Sequence, residues 1–145
     1  MKVEAEQAVH AFGEVVRGSE TVMVVEYNDM VRHVSLDFLQ MYGYSVLEAK
    51  DGEAAIEISE QHAGPIHLMV IDVMMPGMSG RILTEHLKKT HSEMKILFTS
   101  GYMDNTFVFP GIPDRKINFI AKPFTYEALG SKVREILNER QTGNT

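Results

Sequence analysis

Apolar residues fall along this chain in two alternating patterns. Short runs of Val, Ile, Leu and Met stop abruptly at a polar or charged residue, and between them lie longer stretches with apolar positions three or four apart. The short runs have the length and β-branched content of buried strands, and the longer stretches have helical period. The runs are Thr21-Val22-Met23-Val24-Val25 ending in Glu26, a second over 44–47, and a third over 66–71 that runs out into Asp72. Lys95-Ile96-Leu97-Phe98 follows, ending in Thr99-Ser100-Gly101, and then Ile117-Asn118-Phe119-Ile120-Ala121, ending in Lys122. Strand and helix in alternation predict an α/β fold, with a doubly wound five-stranded parallel sheet covered by helices on both faces.

The helices carry their own start signals. The first is expected to begin near Asp29, burying Val31, Val34, Phe38 and Met41. Asp51-Gly52 opens a second with Ala55, Ile58 and His62 on one side, and Gly64-Pro65 stops it. Ser79 caps a third running to about Lys89 through Ile82, Leu83, His86 and Leu87. Thr125 caps the last, whose stripe is Leu129, Val133, Ile136 and Leu137. Over 102–114, Pro110, Gly111 and Pro113 allow only a short or irregular fourth helix. Ahead of the first strand, Val9, Phe12 and Val16 keep helical spacing until Gly18-Ser19. Residues 1–19 are therefore expected to be a linker or extra N-terminal helix, 20–140 the domain, and 141–145 a flexible tail.

Composition narrows the class. A chain of 145 residues, 44% hydrophobic and 23% charged, fits one globular domain. A formal net charge of -6 argues against a nucleic-acid surface. Zero cysteines exclude disulfides and thiolate metal sites and agree with a reducing cytoplasm. No apolar run approaches the ~20 residues that span a bilayer, so no membrane contact is expected. The six histidines lack the i, i+4 pairing of a common zinc motif. There is no Walker loop, dinucleotide fingerprint, Gly-x-Ser-x-Gly elbow or glycine-rich ATP lid, and kinase activity is not expected here.

The candidate chemistry lies at the strand ends. In an open parallel sheet the carboxyl ends of the strands line the ligand crevice, so Glu26, Asp72, Ser100 and Lys122 are expected on one edge. A carboxylate such as Asp72 can attack phosphorus, but the incoming group is negative and needs neutralisation. A lysine supplies a point charge and a hydroxyl supplies a hydrogen bond.

In kind, order and spacing, Ile71-Asp72-Val73-Met74-Met75-Pro76-Gly77-Met78-Ser79-Gly80, Thr99-Ser100-Gly101 and Ala121-Lys122-Pro123-Phe124 resemble the receiver domain of two-component response regulators, over about residues 20–139. The resemblance implies a flavodoxin-like fold and a non-enzymatic phosphoacceptor in two-component or phosphorelay signalling. It implies Asp72 as phosphoacceptor, Lys122 and Ser100 as its partners, and Phe119 as an aromatic switch. The resemblance also implies Met74 and Tyr102 as flanking residues of the phosphoryl group and a cis Lys122-Pro123 peptide. It further implies magnesium, held by Glu26, Asp72 and the Met74 backbone carbonyl, and a histidine kinase or histidine phosphotransfer domain as partner. One position departs: receivers usually carry two adjacent acids after the first strand, and here Glu26-Tyr27 stands there. Tyr27 replaces a metal-binding carboxylate with a neutral phenol, so magnesium is expected to bind weakly. The segments 17–21, 102–114 and 122–129 look like receivers at the C-terminus of hybrid sensor histidine kinases. Two alternatives stand beside this one: a pseudo-receiver that docks partners without phosphorylation, and a small flavodoxin-like cofactor binder.

Overall fold

The structure, a computed structural model, describes residues 18–101 and 118–139. The expected N-terminal helix, the irregular fourth helix, Tyr102 and the tail fall outside those residues. The described elements run β1 (Thr21–Val25), α1 (Asp29–Met41), β2 (Ser45–Ala49), α2 (Gly52–Gln61), β3 (Leu68–Asp72), α3 (Gly80–Lys88), β4 (Lys95–Ser100), β5 (Phe119–Ala121) and α4 (Tyr126–Asn138).

All five strands are parallel, in the order β2-β1-β3-β4-β5. Side chains of a strand alternate between faces, and two cores result. Val22, Val24, Leu68, Val70 and Leu97 pack with Leu39 of α1 and with Leu129, Val133 and Ile136 of α4. Met23, Val25, Met69, Ile71 and Phe98 pack with Ala55 of α2 and with Leu83 and Leu87 of α3. β1, β3 and β4 are buried on both faces, which is why their sequences are continuous apolar runs rather than alternating ones.

Each helix starts at a side chain that accepts a backbone N–H two or three residues into it: Asn28 from Val31, Asp51 from Ala54, Ser79 from Ile82 and Thr125 from Ala128. All four helices start where expected, with α1 beginning at Asp29 directly after its cap Asn28. The buried faces need correction in part. On α1, Ser35 and Leu39 are buried while Val34 and Met41 are exposed. The buried row is offset by one position because the Ser35 hydroxyl donates to the Val31 carbonyl, 2.9 Å away, and so enters the core as a satisfied polar group. On α3, Ile82 and His86 are exposed, whereas Leu83 and Leu87 carry the contact. His62 caps the end of α2 and is half-buried, as is Leu137.

Strand limits also move. β2 runs from Ser45 to Ala49, and β3 starts at Leu68; His67 just before it donates its N–H to the Thr21 carbonyl, accepts the Lys95 amide on its own carbonyl and accepts the Thr21 N–H on its ring Nδ1. Among the described residues no helix is long and apolar enough to cross a membrane.

Candidate functional site

Three strand ends converge at the carboxyl edge. The Lys122 ammonium donates to Asp72 Oδ2 at 2.8 Å and to Glu26 Oε1 at 3.0 Å, joining β5, β3 and β1 across the sheet. All three groups are largely shielded, with side chains 17%, 9% and 6% exposed for Lys122, Asp72 and Glu26. Burial pulls the lysine pKa down, but the hydrogen bonds to Asp72 and Glu26 outweigh it, and the net shift is upward. The lysine therefore stays charged, and two carboxylates are held side by side with one cation between them.

The backbone fixes this geometry. Ser100 accepts from the Lys122 amide at 2.8 Å and Thr99 accepts from the Val73 amide at 3.0 Å, so the ends of β3, β4 and β5 are locked in step. The Met74 amide donates to Asp72 Oδ1 at 2.9 Å. Gly80 lets α3 start hard against the site: a Cβ there would lie 2.8 Å from the Asp72 carbonyl oxygen. At the other carboxylate, Asn28 N–H donates to Glu26 Oε2 at 3.1 Å and the Glu26 amide donates to the Ala49 carbonyl. The Lys122-Pro123 peptide is cis.

Of the residues singled out from the sequence, Asp72, Glu26 and Lys122 meet directly. Ser100 ends the adjacent strand, fully buried, but its hydroxyl lies toward the Gly101 carbonyl, 3.4 Å away, and not in the lysine network. Met74 is exposed at the mouth. Tyr27 is 55% exposed and carries no carboxylate, so the acids that Lys122 bridges are Glu26 and Asp72. Phe119 is half-buried on β5, paired with Phe98 and packed against the core under α2 and α3. Among the described residues no group of three or more His, Cys, Asp or Glu is arranged around a metal position.

Sequence reasoning passed over Arg32. Its Nη1 donates to the Glu26 carbonyl at 2.9 Å, its Nη2 to Asp29 at 2.7 Å and its Nε to Glu48 at 3.0 Å. Only the i, i+3 spacing from Asp29 was visible beforehand, and that reads as an ordinary helix-surface pair.

A parallel α/β sheet with a lysine bridging two buried acids at its carboxyl edge is the arrangement of a receiver. The chain matches the model of the response regulator receiver domain over residues 22–134, and it belongs to that family. Sensor kinase CckA of Brucella abortus is 41% identical over 123 residues, which cover 85% of this chain and 13% of that protein. A cyclic di-GMP phosphodiesterase of Thermotoga maritima is 32% identical over 120 residues, covering 83% of this chain and 32% of that protein. The chain thus spans a small part of either relative. The crystal structure of the receiver domain from hybrid histidine kinase CckA superposes with a TM-score of 0.68 at 31% identity, covering 81% of this chain and 99% of that one. A response regulator receiver protein from Sinorhizobium medicae shares the fold at TM-score 0.72 and 23% identity, over 85% and 98% of the two chains.

Proposed function

We propose that residues 20–140 form a phosphorelay receiver in which Asp72 accepts a phosphoryl group from the phosphohistidine of a histidine kinase or histidine phosphotransfer domain. The observation that carries this is the Lys122 ammonium 2.8 Å from Asp72 Oδ2 and 3.0 Å from Glu26 Oε1. An Asp72 carboxylate oxygen attacks phosphorus, the P–N bond to the imidazole breaks, and the imidazole leaves with the bonding pair. Lys122 neutralises one phosphoryl oxygen, and the Ser100 hydroxyl, turned from Gly101, donates to another. Phe119 is then the aromatic group that responds when the Ser100 loop moves, and Met74 and Tyr102 border the phosphoryl group.

The donor set fits a magnesium ion that keeps most of its water. Two carboxylates and the Met74 carbonyl are hard oxygen ligands, and such an ion takes one or two carboxylates plus substrate oxygens. Glu26, Asp72 and Met74 would hold it, and when bound it supplies further neutralisation of the phosphoryl oxygens. With Tyr27 beside Glu26 the site offers one carboxylate fewer than receivers usually carry, and binding is weak. The 41% identity to sensor kinase CckA supports a place within a hybrid histidine kinase in the cytoplasm, with kinase chemistry on another segment.

Incubation with acetyl phosphate and magnesium, followed by intact-mass measurement, tests the proposal. Wild type should gain one phosphoryl group and Asp72→Asn none. A wild type that gains no phosphate from acetyl phosphate or from a phosphorylated histidine phosphotransfer domain would instead make this a docking module that works without phosphorylation.

A further inference from the structure

We infer that Arg32 is a positioning residue for phosphoryl transfer, holding the turn after β1 so that the Glu26 carboxylate stays on Lys122; this rests on the receiver function proposed above. Arg32 lies one turn into α1, yet its guanidinium points back toward the sheet and its side chain is only 11% exposed. Its three donors reach three separate elements: the Glu26 carbonyl at the end of β1, Asp29 at the start of α1 and Glu48 on β2. A planar fork with divergent N–H groups can meet all three at once, and a lysine ammonium on a flexible stem cannot hold the same plane.

The contact to the Glu26 carbonyl matters most. Glu26 is held on its N-terminal side by its own amide on Ala49, and on its C-terminal side by Arg32. Its side chain is fixed by the Asn28 N–H on Oε2 and by Lys122 on Oε1. Freeing the carbonyl allows the Glu26-Tyr27 peptide to turn, which carries the Asn28 N–H off Oε2 and loosens the carboxylate. In a site with two acids after β1 such loosening would be shared. Here Tyr27 is exposed and Glu26 is the one acid of that pair, so the whole contribution of β1 to the cluster depends on its placement. An ion pair kept only for stability would require neither the bond to a main-chain carbonyl nor the shielding of the guanidinium.

The test compares wild type with Arg32→Lys, Arg32→Gln and the remote Glu20→Gln, whose ion pair with Arg134 joins the start of β1 to α4. Manganese affinity is measured by electron paramagnetic resonance of the free ion, alongside the magnesium dependence of phosphorylation by acetyl phosphate and thermal unfolding. Both Arg32 variants should bind manganese about tenfold more weakly, the scale of loss when the support of a metal ligand is removed. They should need correspondingly more magnesium for half-maximal phosphorylation, with the rate at saturating magnesium near wild type. Glu20→Gln should lower the melting temperature without moving either metal curve. Arg32 variants that lower the melting temperature but match wild type in manganese affinity and magnesium dependence would overturn the inference. The receiver proposal is judged separately: it fails if Asp72→Asn still gains phosphate, whereas the manganese comparison alone decides whether Arg32 places the Glu26 carboxylate.

Discussion

At the scale of single residues, the site is defined by what surrounds two carboxylates. Asp72 and Glu26 are both buried, and such groups are tolerated only when paired and hydrogen-bonded. Lys122 provides the pairing, and the Met74 and Asn28 amides provide further bonds. Tyr27, next in sequence to Glu26, is more than half exposed and brings no charge to this balance. Replacing it with aspartate would put a third carboxylate beside the pair, and their mutual repulsion would raise the benefit of binding a divalent cation. Tyr27→Asp should therefore bind magnesium on the order of tenfold more tightly, and phosphorylation of Asp72 should speed up at limiting magnesium. Titration calorimetry of the two proteins checks this; equal affinities would mean that Glu26 alone already fills the role of the missing acid.

At the scale of elements, the loop bearing Lys122 leads straight into α4, and α4 is held by aromatic packing. The Tyr42 ring at the end of α1 stacks on Tyr126 in the first turn of α4 at a centroid distance of 4.2 Å, and Phe38 meets the same ring edge-on at 5.5 Å. The Tyr42 hydroxyl donates to the Tyr126 carbonyl at 2.9 Å, and burial pushes its pKa up. This packing needs Gly130: a Cβ there would come within 2.2 Å of the Tyr42 ring, which the stack on Tyr126 keeps from moving aside. Gly130→Ala should cost about 1–3 kcal/mol, the usual penalty of overpacking, despite the better helix propensity of alanine. Urea unfolding measures it, and a stabilised variant would show that Tyr42 swings freely. The caps of α2, α3 and α4 were legible because each is a polar side chain two to four residues before an apolar stripe. The stripe of α1 was misplaced because Ser35 is buried and Val34 is not, and sequence periodicity cannot see a hydroxyl satisfied by the preceding turn.

At the scale of the whole molecule, the residue leading into β1 is tied to α4. Arg134 of α4 pairs with both carboxylate oxygens of Glu20, at 2.7 and 3.2 Å, across 114 residues of sequence, and also reaches the Tyr44 hydroxyl. Arg134 holds the Glu20 carboxyl below its ordinary value of 4.5, against the opposing effect of burial. A folded-state pKa below the unfolded one contributes stability above the unfolded value and loses it as pH falls through the folded value. Glu20→Gln should thus lower stability at pH 7 by about 1 kcal/mol, the upper range for a pair that remains partly solvated. The difference from wild type should shrink as the pH drops below 4.5. Chemical unfolding across that range checks the sign, and a constant difference would mean the loss comes from packing rather than charge.

The strands, their parallel arrangement and the edge that gathers Asp72, Glu26 and Lys122 were determined by the sequence alone. Continuous apolar runs between helical stretches leave few ways to bury both faces, and each of those three residues stands at a strand end. Tertiary structure decided what happens among them. Which oxygens Lys122 bridges depends on the spacing of three strands that are distant in sequence, β1, β3 and β5. That the Ser100 hydroxyl lies toward Gly101, that Tyr27 is left exposed, and that Arg32 reaches back to the Glu26 carbonyl depend on side-chain placements that no periodicity encodes. Spacing along a chain fixes which residues share an edge, whereas the hydrogen bonds they form there are settled only when neighbouring elements compete for the same donors and acceptors.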